Sequence, residues 1–213
     1  FNGFGAETTL VYRGDMFLRG FDQSLREFVA QELEKSGINL KFNTQVTEIR
    51  STDDKDTNSR YQISLEDGGT LNSDLVMYAI GRKPKTNNLG LENLGIEQGE
   101  NGKIVVDEFY QTSVENIFAI GDVSGHPMLA HKAEDEGIAV AENISGQSGH
   151  VNYETIPGVI YTKPEVASIG KTEEQLKEFN IKYKVGKFSF MANSRAKAID
   201  DAEGFVKILA EEK

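Results

Sequence analysis

The stretch TSVENIFAIGD, residues 112–122, decides how the rest of the chain is read. Its opening Thr-Ser and Glu-Asn pairs are turn formers. Ile117, Phe118, Ala119 and Ile120 then predict a short buried strand, closed by Gly121 and Asp122. An apolar run ending in Gly-Asp puts a carboxylate at the carboxyl end of a strand, where open α/β sheets bind ligands. Upstream, LVMYAIGR at residues 75–82 ends in the same Ala-Ile-Gly followed by a polar residue. Two strands with one ending predict two nucleotide sites in one chain.

Working outward, TTLVY at 8–12 predicts a β-branched strand, and Arg13-Gly14-Asp15 a turn. Residues 21–35 predict an amphipathic helix with Leu25, Phe28, Val29 and Leu33 on one stripe, capped by Asp22 or Ser24 and ended by Gly37. A strand at 38–42 completes strand–helix–strand, hence a parallel sheet. Three strands follow at 46–50, 61–65 and 70–77, the last two joined by the hairpin signal Glu66-Asp67-Gly68-Gly69; a polar loop at 51–59 separates the first two. The glycine- and asparagine-rich span 83–102 predicts a domain boundary, and 104–106 a short extended piece. Beyond Gly125-His126-Pro127, residues 129–145 predict a helix with a small-residue face, Ala130, Ala133, Gly137 and Ala141, suited to close approach to a sheet or ligand. From 151 onward an α+β unit is expected: strands at 158–161, 166–170, 183–190 and 204–209, and one helix opened by a Thr172/Gln175 capping box. Residues 1–5 predict a helix tail ending on glycine, and 193–195 a polar loop.

The bulk numbers narrow the function. With 213 residues, 38% hydrophobic, the chain can bury one large core or two modest ones. Its 23 basic and 34 acidic residues give a net charge of −11, which argues against nucleic acid or an anionic membrane as partner. No run approaches the ~18 apolar residues of a membrane span. The opening FNGFGAETTL is not a signal peptide, so a cytoplasmic location is the expectation. There is no cysteine, so neither a disulfide nor thiolate chemistry resides here. The chain opens without Met and closes after a strand-like run, and is expected to be an excerpt of a longer protein.

Several residues are candidates for binding. Arg13 and Arg19 follow the first strand; two guanidiniums there fit a nucleotide 2′-phosphate, or are solvated surface arginines. Gly81 at a strand end lets a cofactor approach the backbone, or is loop chemistry. Asp122 suits the hydroxyls of a sugar or ribityl chain, or is an ordinary turn aspartate. Met128, Leu129, Ala130 and His131 open a helix whose amides suit an electron-rich ligand edge, with a structural histidine as the alternative. His126, His131 and His150 lack metal-site spacing, so no metal centre is expected. Glu134, Asp135 and Glu136 are expected to be a solvated helix face.

Both motifs in this order resemble the pyridine nucleotide–disulfide oxidoreductases, flavoproteins, across essentially the whole chain. The resemblance implies an α/β fold class in three parts: a partial Rossmann-like dinucleotide-binding domain with an antiparallel ribbon at 1–86, the return segment of an FAD domain at 87–149, and part of an α+β dimerisation domain at 150–213. FNGFGAETTLVYRGDMFLRGFD and VDEFYQTSV are similar to the glutathione reductase branch, whose two arginines on the NADPH 2′-phosphate carry over to Arg13 and Arg19. MLAHKAEDEGIAVAE, HVNYETIPGVIYTKPEVASIGKTEEQL and FMANSRAKA are similar to the NAD-using dihydrolipoamide dehydrogenase branch. The change falls near 121–125, as a natural mosaic or an artificial join. By resemblance Asp122 holds the ribityl chain of FAD, residues 128–131 meet the flavin ring, Gly81 meets the nicotinamide nucleotide, and Val46 the adenosine. The reacting cysteines and the His-Glu pair are expected outside these residues. The resemblance implies electron flow from NADPH through FAD and a cysteine pair to a disulfide substrate, glutathione-reductase-like. The alternatives are an NAD-dependent dihydrolipoamide dehydrogenase or, for the excerpt alone, a non-catalytic nucleotide-binding or dimerising piece. Expected partners are a small-molecule or lipoyl disulfide and a second copy of the chain, with no nucleic acid and no membrane.

Overall fold

The computed structural model describes residues 1–52, 59–125 and 127–212. In chain order its elements are β1 Thr8–Val11, α1 Gln23–Lys35, β2 Ile38–Lys41, β3 Val46–Ser51, β4 Tyr61–Leu65, β5 Thr70–Ser73, α2 Leu91–Leu94, α3 Ala130–Ile144, β6 Gly158–Ile160, β7 Val166–Ser168, α4 Glu173–Glu178, β8 Tyr183–Ser189, α5 Ser194–Ala198 and β9 Phe205–Glu211. They form two compact units. Phe1–Met77 and Pro157–Lys213 make the first, Tyr78–Ile156 the second.

In the first unit β1 and β2 pair in parallel, Thr8 opposite Ile38 and Val11 opposite Lys41, with α1 as the crossover that parallel strands require. The cap of α1 is Asp22, whose carboxylate accepts the Ser24 N–H. The stripe on α1 buries Val29 and Ala30 against Phe17 and Val166, with Leu10, Leu25, Leu33 and Leu40 around them. Phe28 turns aside and meets Phe205 edge-on, ring centroids 5.5 Å apart. The antiparallel ribbon β3-β4-β5 and the hairpins β6-β7 and β8-β9 follow the expected strands. Thr172 and Gln175 exchange both hydrogen bonds of the capping box on α4. Most of the expected polar loop at 51–59 lies outside the described residues.

Three expectations change. Residues 193–195 are not loop. Asn193 caps α5, its Oδ1 taking the Ala196 N–H at 3.0 Å, and Arg-Ala-Lys-Ala then propagates the turn. The strand at 70–77 stops at Ser73, and the apolar residues beyond it are not ladder strand: Leu75, Met77, Tyr78 and Ile80 are 61%, 71%, 68% and 91% exposed. An apolar run becomes a strand only where a neighbouring backbone pairs with it, and among the described residues none does here. Residues 117–120 do meet a partner backbone, that of 110–112, but through a single bridge, so they form one arm of a tight turn and not a ladder strand.

That turn belongs to the second unit. The Thr112 N–H donates to the Ile117 carbonyl at 2.8 Å, Asn116 takes φ 64°, Phe118 bridges Gln111, and the Ala119 N–H returns to the Tyr110 carbonyl at 3.0 Å. The core here is Leu91, Ile96, Ile104 and Ala119, flanked by Val106, Val114, Ile117 and Val123. Among the described residues no helix is long and apolar enough to cross a membrane.

Candidate functional site

In the second unit, Ile120 arrives extended (φ −132°, ψ 164°), and Gly121–Val123 then forms a single 3-10 turn. Gly121 takes φ 75°, a conformation that glycine adopts freely. A Cβ on it would also lie 3.1 Å from the Cβ of Ala133 on α3. Gly137, one turn further along α3, would place a Cβ 3.5 Å from Ile120 Cδ1. The small-residue face of α3 therefore lets the turn come close. Asp122, next in the turn, keeps 41% of its side chain exposed, with Arg82 Nε 3.5 Å from its Oδ2. The two Ala-Ile-Gly endings thus meet through the residue that follows each. An ion pair this exposed adds little stability, which leaves the carboxylate available to a ligand.

Behind the turn lies a buried ion pair. Lys132 and Glu136 are 1% and 2% exposed. Glu136 Oε2 accepts the Gly121 N–H at 2.7 Å. Lys132 Nζ donates to the carbonyls of Gly121 at 3.2 Å and Gly125 at 3.4 Å, and to Glu136 Oε2 at 3.1 Å, so each of its three protons has an acceptor. Tyr153 Oη donates to Glu136 Oε1 at 2.7 Å and lies 3.2 Å from Tyr110 Oη. Burial, helped by those two hydrogen bonds, pushes the Tyr153 phenol well above its usual range. Glu136 is therefore not part of a solvated face. Glu134 and Asp135 are exposed, but the third acidic residue turns inward, four residues from Lys132 on the side of α3 that the turn covers.

The other expected residues fall as follows. α3 begins at Ala130, and its N-cap, Leu129, offers no side-chain acceptor. Met128, Leu129 and His131 are half-buried and Ala130 is exposed. Gly81 has φ 138° and would place a Cβ within 4 Å of nothing, an open stretch of backbone. His126 lies outside the described residues. A crevice of about 500 Å³ opens beside Tyr110, His150 and Tyr153, and neither Asp122 nor residues 128–131 line it.

In the first unit Arg13 and Arg19 are both exposed, at the end of β1 and before α1. A Cβ on Gly14 would sit 3.4 Å from Arg19 Nη2, so the Arg19 guanidinium folds back to the residue beside Arg13. Among the described residues neither arginine has an ion-pair partner. Val46 opens β3 at 37% exposure, two residues after Thr44, whose N–H donates to the Tyr12 carbonyl.

Residues 1–137 match the family described as pyridine nucleotide-disulphide oxidoreductase, and residues 156–213 match its dimerisation domain. The chain belongs to this family. Among curated proteins it is 45% identical over 210 residues to the mitochondrial dihydrolipoyl dehydrogenase of Pisum sativum, spanning 97% of this chain and 41% of that one. It is also 45% identical to the leghemoglobin reductase of Glycine max, over 97% of this chain and 40% of the relative. A single relative therefore matches through both halves of the chain, and the chain spans about two fifths of these relatives. The HOCl-induced flavoprotein disulfide reductase RclA of Escherichia coli superposes with a TM-score of 0.90 at 27% identity, over 99% of this chain and 47% of that one.

For this member of the pyridine nucleotide-disulphide oxidoreductases, sequence reasoning missed three residues that shape the candidate sites. Lys132 and Glu136 are two. Arg26 is the third: its Nε and Nη2 donate to the carbonyls of Phe17 and Met16 at 2.8 and 2.6 Å, pinning the loop that carries Arg13 and Arg19. Lys132 and Glu136 could have been found as an i,i+4 pair of opposite charge on the side of a helix that also carries alanine and glycine. Arg26 gives no local signal, since its partners are backbone carbonyls nine and ten residues back.

Proposed function

We propose that the chain forms cofactor-binding walls and part of the dimer interface of an FAD-dependent disulfide oxidoreductase of the dihydrolipoyl dehydrogenase type, exchanging electrons between a lipoyl dithiol or disulfide and a pyridine nucleotide. The observation that carries this reading is Asp122, an available carboxylate on a turn clamped from behind. The 45% identity to a dihydrolipoyl dehydrogenase points it toward lipoyl chemistry. Bound FAD would supply the electron relay between nucleotide and disulfide. The residues present suit it: Asp122 can accept from ribityl hydroxyls, and half-buried Met128 and Leu129 at the positive end of α3 suit the edge of a flat ring. Arg13, Arg19 and Val46 would receive the adenosine side of the nucleotide, and Gly81 its nicotinamide side. The chain has no cysteine, so the thiols that exchange with substrate are supplied elsewhere in the protein. The match at 156–213 supports a homodimer.

A second reading, a glutathione-reductase-like enzyme using NADPH, is favoured by one feature: two arginines at the end of β1 that have no ion-pair partner among the described residues, suited to a 2′-phosphate. Steady-state kinetics of the full-length protein decide between them, with dihydrolipoamide plus NAD⁺ against glutathione disulfide plus NADPH. A higher kcat/KM for the first pair supports the lipoyl reading, and a higher value for the second overturns it. In the same protein Arg13→Glu with Arg19→Ala is expected to shift the NADPH to NADH preference at least ~tenfold toward NADH, since charge-assisted hydrogen bonds contribute roughly 1.5–3 kcal/mol each. An unchanged ratio rules out the phosphate clamp. The 213 residues alone, given FAD and NADPH, are expected to reduce no disulfide.

A further inference from the structure

We infer that Lys132 and Glu136 are positioning residues for flavin binding, gripping both backbone groups of Gly121 so that Asp122 is held at a fixed height and angle above α3. The inference rests on the reading of Asp122 as the flavin-binding carboxylate. Burying two charges is costly, and a pair of similar-sized apolar residues would fill the same space at least as stably. The partners of this pair show what the charges do there. Glu136 takes the N–H of Gly121, and Lys132 takes its C=O together with that of Gly125. Leucine and methionine would fill the space and hold neither group. Ala133, between them on α3, closes the third side at contact distance from Gly121. Lys132, Ala133 and Glu136 fix the peptide plane from which the Asp122 side chain departs. The same helix begins at Ala130, directly after Met128 and Leu129, so one rigid element aligns Asp122 with the residues assigned to the flavin ring.

The test uses the full-length protein freed of cofactor. Lys132→Met with Glu136→Leu removes both charges together, which protein folds often tolerate or gain from. The expected result is a cofactor-free protein that still unfolds cooperatively, with a melting temperature only modestly below that of the parent, because Gly121 loses two partners but no charge is stranded. The FAD dissociation constant, read by flavin fluorescence quenching, should rise at least ~tenfold, the loss typical when a group orienting a ligand-binding residue is removed. Lys132→Met with Glu136→Gln keeps an acceptor for the Gly121 N–H and gives up only the lysine's hold; a rise of roughly threefold is expected, about one net hydrogen bond. FAD binding within experimental error of the parent in both proteins overturns the inference. If the Met/Leu protein does not fold, the Met/Gln protein decides alone, an unchanged constant again overturning it. Asp122→Ala in the same series separates the two claims. If it leaves FAD affinity intact, the flavin reading of the turn fails. If it weakens FAD while the paired variants do not, only the positioning role fails.

Discussion

In the first unit Lys207 sits between Asp22 and Glu173; in the second Lys132 sits beside Glu136. Lys207 Nζ lies 2.8 Å from both oxygens of Asp22 and 2.6 Å from Glu173 Oε2, joining side chains 185 and 34 residues apart. Asp22 also takes the Glu173 N–H at 3.1 Å, so the cap of α1, the start of α4 and the middle of β9 are tied in one knot. Lys132 and Glu136 are four residues apart on one helix, and their other main partner is the backbone of a turn. The side chains of the first cluster are 10%, 7% and 23% exposed, and those of the second 2% and 3%. Water reaches the first far more readily than the second. The contrast separates a charge cluster that joins distant elements from one that fixes a short piece of main chain. It also shows that the number of ion pairs in a cluster says little without their partners.

The largest effect separates the two at once. Lys132→Met leaves the Glu136 carboxylate buried without its counter-ion, and is expected to cost about 3–5 kcal/mol in urea denaturation of the full-length protein. Adding Glu136→Leu should recover most of that loss, because the single change strands a charge and the double change does not. Lys207→Met is expected to cost less, about 2 kcal/mol, because water can partly solvate the carboxylates it leaves. Equal losses from the two lysines would break the comparison.

The pH dependence of Lys207→Met sharpens it. Burial by itself would raise the Asp22 carboxyl, but Lys207, Ser24 and the Glu173 amide outweigh it and bring the carboxyl from 3.8 down to about 2. Lys207, then Lys177 and Tyr183, bring Glu173 from 4.5 to about 2. Both folded values lie below the unfolded ones. Their stabilisation is therefore complete above a pH of about 4.5 and is lost as pH falls toward 2. Burial lowers Lys207 and its two carboxylate partners raise it, with a net rise above 10.5. Its contribution is present below that value and disappears as pH climbs past it. Denaturant midpoints of parent and Lys207→Met should differ most near pH 7 and converge between pH 4.5 and 2. A gap that holds constant down to pH 2 would show that Lys207 acts by packing alone.

How much of this was legible in the sequence follows from range. The strand–helix–strand at residues 8–42 and the Thr172/Gln175 cap depend on neighbours within one helix or one crossover, and periodicity and capping residues report those neighbours. The Lys207 knot joins β9 to the cap of α1, and nothing near either residue announces the other. The readings of 75–81 and 117–120 as strands followed from an apolar run, but a ladder also needs a partner backbone over several residues, and the run does not specify its extent. The turn at Gly121 and Asp122 was legible because Gly-Asp after an apolar run carries its own turn chemistry. Glu136 was misread because three consecutive acidic residues look like one solvated face, although successive helix positions are 100° apart. The third can point inward while the first two point out.

The smallest effect tests whether the buried pair needs its third member. Tyr153→Phe removes the hydrogen bond to Glu136 Oε1 and the contact with Tyr110, but Oε1 keeps Lys132 Nζ at 3.0 Å. No buried charge is stranded, so the cost should be about 1 kcal/mol, the net worth of one hydrogen bond. The Gly121 N–H is held by the other oxygen, Oε2, and the Gly121 carbonyl by Lys132, so the turn keeps both its partners and FAD affinity should not change. Urea denaturation and fluorescence titration of the full-length variant check both parts. If Tyr153→Phe costs as much as Lys132→Met, the phenol is an obligatory donor to a carboxylate that one lysine cannot satisfy. The second cluster would then be a side-chain knot like the first rather than a clamp on main chain.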